Sequence, residues 1–386
     1  MFYIFAFQVR PLYHRRMQPL TGVGTAAKRK AQGNKPAKEE LLTSSHDEAR
    51  ELCRLAQQIR ALEPWEWIAE TDVFGVQDPD TSEIGFVSVM GGMGEYTAIA
   101  VYRGPEGLQG WLDFEAALEL DPEIADAGRL LLEIPHLHLS FADPHMFEKR
   151  DRDLLKGVGL KFAGNRPLFR SSRPGYFPWF VTREEARLLI HALSQAIIIA
   201  ERLAEDPNII TFEEDGEDVS ILVRVSREQG SELIWEDRVQ KFSRPRPQVV
   251  PLAIETAVLN KLKRIAQSQG EMEADLFLAP GAVGKRGDRP AALYTLLLAD
   301  HESGIIFGVE AMAAEQGLAA MYADVANRLA RLLLQAQFLP KRLLIRSDRL
   351  LELLTPLARQ FNIELIYADE LPAIEEAANF MFEQMG

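Results

Sequence analysis

The stretch "LLIRSD", residues 343–348, opens on three apolar residues that suit a buried strand and closes on a carboxylate. An acid just beyond a strand has two uses. It can help hold a divalent cation, or its oxygen can accept a bond from an orphan amide of the next helix. The flanks supply the frame. Upstream, the apolar spacing predicts a helix over 254–267 and strands over 275–279, 293–299 and 305–311. The dipeptide Ser303–Gly304 turns the last two strands into a hairpin, and a long helix over 313–337 follows. Downstream come a helix to Phe361, a strand over 363–367 and a closing helix from Pro372. Without the leading helix the order is βββαβαβα. Three antiparallel strands and two reached by helical crossovers make a mixed sheet with helices on both faces.

Toward the N-terminus the pattern changes to α+β. Leu52, Leu55, Ile59 and Leu62 recur at helical spacing, predicting a helix over 39–62 that Pro64 ends. Strands follow over 70–76, 84–90 and 97–103. Gly91, Gly92 and Gly94 lie between two strands, so they read as a hairpin turn; a phosphate loop would lead into a helix. Residues 105–132 are helical, broken near Asp121 and Pro122. In "PHLHLSFADPH", His136 and His138 share one strand face and read as half-exposed; no acid stands at a fixed spacing to complete a metal site. A charged helix covers 144–158.

The stretch "FRSSRPGYFPWF", residues 169–180, gathers arginines and aromatics around two prolines and a glycine. That composition suits a binding surface, with Arg173, Tyr176 and Trp179 as the candidate contacts. It equally suits an irregular loop that anchors the next helix, marked by the capping box Thr182 to Glu185, and the anchoring reading is preferred. Strands over 209–212, 219–225 and 232–237 precede "KFSRPRPQVVP", a proline-rich linker. The domains expected are a basic leader over 1–38, an α+β domain over 39–242, a linker over 243–252, and a mixed-sheet α/β domain over 253–386.

Composition narrows the classes. Hydrophobic residues make up 47% of the 386, which excludes disorder for the chain as a whole. Cys53 is the only cysteine, so there is no disulfide framework and no cysteine-based zinc site. With no apolar run long enough to span a bilayer, this predicts a cytoplasmic protein without membrane contact. Arg10, Arg15 and Arg16 follow the apolar "MFYIFAFQV", the reverse of a signal peptide. Residues 1–38 carry eight basic side chains and no acid; the net charge of −14 therefore leaves −22 on the rest. A body so acidic repels phosphate backbones, so nucleic acid is expected to bind only through the leader, if at all. The leader itself reads as a solvated, disordered segment.

The βββαβαβα order, with "LLLADHESGIIFGVE" and "PKRLLIRSD", resembles the ribonuclease H-like (integrase-like) fold over residues 270–386. The resemblance implies a metal-binding acid on the first strand, another ending the fourth, and a third on the final helix. Asp275, Asp348 and Glu375 are the candidates, with Mg or Mn as the ion. Asp348 fits its place. Asp275 is expected to open its strand instead of sitting inside it, and Glu375 stands in a generic acidic run. Capping is the preferred role for Asp348. Over about residues 60–386, "PWEWIAETDVFGVQD", "SVMGGMGEY", "RPGYFPWFVTREEA" and "ADELPAIEEA" resemble an uncharacterised bacterial two-domain family, which implies no activity. The leading expectation is a non-catalytic binding protein with a degenerate ribonuclease H-like domain, no cofactor, and a protein or small ligand as partner. The alternatives are a metal-dependent nuclease or phosphoryl-transfer enzyme, and an RNA-binding accessory factor acting through the leader.

Overall fold

A computed structural model describes residues 40–92, 96–120, 127–216, 218–230, 232–243, 254–285 and 287–385. The leader and nearly all of the expected linker lie outside the described residues.

The first half runs α1 (Asp47–Leu62), β1 (Phe74–Gln77), β2 (Ile84–Met90), β3 (Ala98–Arg103), α2 (Gly104–Leu120), α3 (Ala127–Glu133), β4 (His136–Ala142), α4 (Lys149–Val158), β5 (Arg166–Ser172), α5 (Arg183–Glu205), β6 (Phe212–Asp215), β7 (Asp218–Gln229) and β8 (Glu232–Ser243). The sheet order is β5-β4-β3-β2-β1-β7-β6, with β8 also paired to β7. Alternation along the strands gives the sheet two apolar faces. Val87, Ile99, Leu137 and Leu139 face α1 and α5. Phe86, Ala100 and Tyr102 on the other face meet Trp111 and Leu112 of α2. The capping box Thr182 to Glu185 is formed as expected, each partner accepting the other's amide. Gly91 has φ +125, a backbone that suits the β2–β3 turn.

The second half runs α6 (Thr256–Leu262), β9 (Glu271–Val283), β10 (Ala291–Asp300), β11 (Ile306–Ala313), α7 (Leu318–Ala336), β12 (Arg342–Ile345), α8 (Asp348–Phe361), β13 (Glu364–Tyr367) and α9 (Pro372–Met385). The order β11-β10-β9-β12-β13 is mixed. β9, β10 and β11 are antiparallel neighbours, while β12 runs parallel to both β9 and β13. Leu296, Leu298 and Leu343 share one core with α7 and α8, and Leu297, Ala299 and Leu344 share another with α9. The chain is thus mixed α and β, in two domains.

Two expectations are corrected. Residues 166–172 form strand β5, not the start of an irregular loop; Pro167 and two arginines hid a strand that pairs with β4 along seven residues. His136 and His138 are buried, not half-exposed.

The segment after β5 joins the two domains. Ser171 and Trp179 exchange backbone bonds of 2.8 and 2.9 Å, closing a small loop. The Gly175 carbonyl accepts the Ala292 amide at 2.9 Å, and the Phe177 amide donates to the Pro290 carbonyl at 2.9 Å. Tyr176 thereby pairs with Ala291, and Phe177 packs on the second domain's core. Gly175 has φ +80, and a Cβ there would stand 2.4 Å from that of Ala314, so this contact needs glycine. Across the same joint Tyr322 donates to Glu133, which also pairs with the buried Arg129 at 3.0 Å.

Candidate functional site

Strand β9 lies at the middle of the second sheet, and its alternate residues Glu273, Asp275 and Phe277 face α9. Glu273 is 0% exposed and Asp275 3% exposed, and carboxylates so buried need partners. The register of β12 sets Leu344 beside Glu273, which brings Arg346, the next residue on that face, level with Asp275. The Asp275 Oδ2 atom accepts from Arg346 Nε at 2.9 Å and Nη2 at 2.8 Å. The third guanidinium nitrogen, Nη1, donates to Glu375 Oε1 at 3.1 Å, in the first turn of α9. One planar cation therefore ties two strands to the last helix, with the fork geometry arginine offers carboxylates. Beside it, Glu273 Oε1 meets His301 Nδ1 at 2.7 Å and Oε2 accepts the Ile374 amide at 3.1 Å, satisfying an orphan donor of α9.

The three acids expected from the sequence fare differently. Asp275 is the fifth residue of β9, well inside the strand; the expected start at Asp275 is corrected by four residues. The acids Glu271 and Glu273 concealed that start, although Met272, Ala274 and Leu276 alternate onto the α7 side. Glu375 joins Asp275 through Arg346. Asp348 does not join them. It is exposed in the first turn of α8, and the helix cap is Ser347, whose hydroxyl accepts the Leu350 amide at 3.4 Å. The capping role expected for Asp348 is thus corrected by one residue: Ser347 has the extended backbone of a cap, φ −123 and ψ 124, and Asp348 is already helical. Among the described residues no group of three or more His, Cys, Asp or Glu side chains is placed to hold a metal ion. Sequence reasoning missed Arg346, Glu273 and His301. A signal existed for the first: an arginine ending an apolar strand asks for a buried acid.

In the first domain Arg173, Tyr176 and Trp179 are all half-buried on the interdomain segment. Trp179 packs edge-on against Phe180, with centroids 4.9 Å apart. Arg173 donates to Glu185 Oε1 at 3.2 Å, and the Ser171 hydroxyl donates to the same oxygen at 2.8 Å. Burial pushes the Glu185 carboxyl up. The Thr182 amide, the Ser171 hydroxyl and the charges of Arg173 and Arg289 outweigh it and hold the group below the usual range. Arg289, from the second domain, reaches the Ser171 carbonyl at 2.6 Å and its hydroxyl at 3.0 Å.

His136 and His138 stack with centroids 5.6 Å apart on one face of β4. Burial lowers the His136 imidazole to about 4, opposed in part by its bond to the Ile134 carbonyl at 2.9 Å. Burial, His136 and Arg170 keep His138 well below its usual value, so both rings are neutral near pH 7. No bond reaches His138 Nδ1 from the described residues.

Residues 50–224 match a family model described as Domain of unknown function (DUF7309), and residues 258–382 match one described as Domain of unknown function (DUF6930). No curated protein and no solved structure matches the chain. No helix among the described residues is long and apolar enough to cross a membrane.

Proposed function

We propose that this chain, built of two domains of unknown function, is a non-catalytic binding protein whose second domain is a degenerate ribonuclease H-like scaffold. The reading is carried by Arg346. The strand order β11-β10-β9-β12-β13, with its antiparallel and parallel neighbours, supports the scaffold. On such a scaffold the first strand, the end of the fourth strand and the last helix would hold metal-binding acids. Here Asp275 and Glu375 flank Arg346, which follows the fourth strand two residues before the exposed Asp348, and the guanidinium bonds to both carboxylates. A single delocalised charge satisfies the acids. It supplies neither the Lewis acidity nor the activated water that a pair of divalent ions gives a phosphodiester.

The binding surface expected at Arg173, Tyr176 and Trp179 has an occupant in this reading: the chain's own second domain, paired at Pro290–Ala292. The external partner, a protein or small ligand, is then met elsewhere on the acidic body. The alternative, a nuclease using Asp275, Asp348 and Glu375 with Mg or Mn, draws support from Asp275 lying inside its strand. It also requires Arg346 to leave.

Thermal unfolding across a Mn²⁺ titration decides between them. The expected melting temperature of the wild type is flat, and oligonucleotides stay intact. A rise with Mn²⁺ that Asp275→Asn abolishes overturns the reading, because only a ligand that binds the folded state shifts the transition.

A further inference from the structure

Strands β1 and β7 run parallel, but their lengths differ. Strand β1 has four residues and meets β7 at Gly75 and Val76, opposite Val223 and Arg224. Pro79 lies just beyond it, and a proline has no amide with which to continue a ladder. Strand β7 runs on to Gln229 before turning into β8. Past the end of β1 lies a cleft of about 600 Å³, walled by the β1–β2 turn, by His191 of α5 and by the β7–β8 hairpin. Small-molecule sites have this size, roughly 300 to 1,000 Å³.

The lining is acidic. Among the described residues Asp78, Asp80, Glu228 and Glu232 line the cleft, and no arginine or lysine does. Arg227, next to Glu228, is engaged by Glu236 at 2.6 Å. Asp78 is 4% exposed, and both bonds to its side chain, from the Asp80 and Thr81 amides at 2.8 and 2.9 Å, go to Oδ1. A carboxylate so buried asks for a counter-charge. Elsewhere in the chain the buried Asp151 has Arg170 and the buried Asp275 has Arg346. Beside Asp78 stands His191. Burial holds its ring below the ordinary value, against the charges of Asp78 and Asp80, so it is neutral near pH 7 and offers no counter-charge.

These acids do not gather about one point. Among the described residues no group of three or more His, Cys, Asp or Glu side chains could hold a metal ion. The negative charge is spread along the cleft, which matches a cation whose charge is spread too. We propose that the cleft binds a linear polyamine, its ammonium groups set against Asp78, Asp80, Glu228 and Glu232. Each ammonium is a compact charge with three donors. The methylene segments between them span from one acid to the next, and the acidic body draws cations toward the cleft. The proposal supplies the small ligand of the binding reading above and rests on it.

Calorimetric titration of the full chain with spermine, at about 0.15 M salt where separated surface charges are screened, tests it. One saturable site per chain is expected, and the ring resonances of His191 shift as it fills. The double variant Asp80→Asn, Glu228→Gln is expected to weaken binding about tenfold, the size of one lost charged hydrogen bond, with an unchanged circular dichroism spectrum. The double variant Glu315→Gln, Glu376→Gln removes two charges from the second domain and is expected to leave binding as it was. A wild type that takes up no spermine overturns the proposal. So does affinity that the first variant keeps, or a loss equal in both variants, which marks general attraction to an acidic body. The Mn²⁺ titration reads the acids of the second domain, so a failure here and a failure there are told apart.

Discussion

The two domains bury polar side chains on central strands in opposite ways. On β9, Glu273 and Asp275 are buried against polar partners, Asp275 with Arg346 and Glu273 with His301 and a helix amide. On β4, His136 and His138 are as deeply buried, but burial holds them neutral. A carboxylate pair in apolar surroundings is stable only while its cation is present, so removing one partner is costly. A neutral imidazole needs no counter-ion, and its weakness is acid. The difference makes one cluster sensitive to mutation and the other to pH.

The largest expected effect tests the first cluster. Arg346→Ala leaves Asp275 without its guanidinium in a dry position, and should cost about 3 to 5 kcal/mol in chemical unfolding. The double variant Asp275→Leu, Arg346→Met should recover most of that loss, since replacing a whole buried pair by apolar groups is often neutral. A single variant as stable as wild type would mean that the pair adds nothing, and the contrast with β4 would disappear.

Next in size is the acid response of β4. The unfolded His136 ring takes up its proton near pH 6.5 and the folded ring only at about 4. Between those values the unfolded state binds more protons, so stability rises with pH. The contribution is fully present above 6.5 and is lost as pH falls toward 4. It approaches about 3 kcal/mol, because each pH unit between the two values is worth roughly 1.4 kcal/mol. Urea unfolding across that window should show the slope, and His136→Gln should reduce it. An NMR titration placing His136 near its ordinary value would mean that the ring is solvated, and the contrast with β9 would lose its second half.

The smallest effects come from the end of β12, where the acid is exposed and the hydroxyl caps. Ser347→Ala should cost about 1 kcal/mol, as cap removal does. Asp348→Ala should stay within about 0.5 kcal/mol, as exposed surface changes usually do. The reverse ranking in thermal unfolding would return the cap to Asp348.

What could be read from the sequence was local. The strand and helix order of residues 271–385, the β10–β11 hairpin and the Thr182–Glu185 capping box depend on periodicities and caps that act within a few residues. Hence the order βββαβαβα was legible from residue spacing alone. The cap at Ser347 was missed by one position because serine and aspartate both accept amide bonds, and only the backbone angles separate them. What depended on register was hidden. Arg346 and Asp275 are 71 positions apart, and they meet because β12 runs parallel to β9 with Leu344 beside Glu273. The pairing of Tyr176 with Ala291 spans an even longer separation and turned a loop expected to anchor the following helix into an interdomain joint. Local preference set which segments became strands. Which acid faced which cation was decided only when the sheet closed, because a shift of one residue in register turns every side chain to the other face.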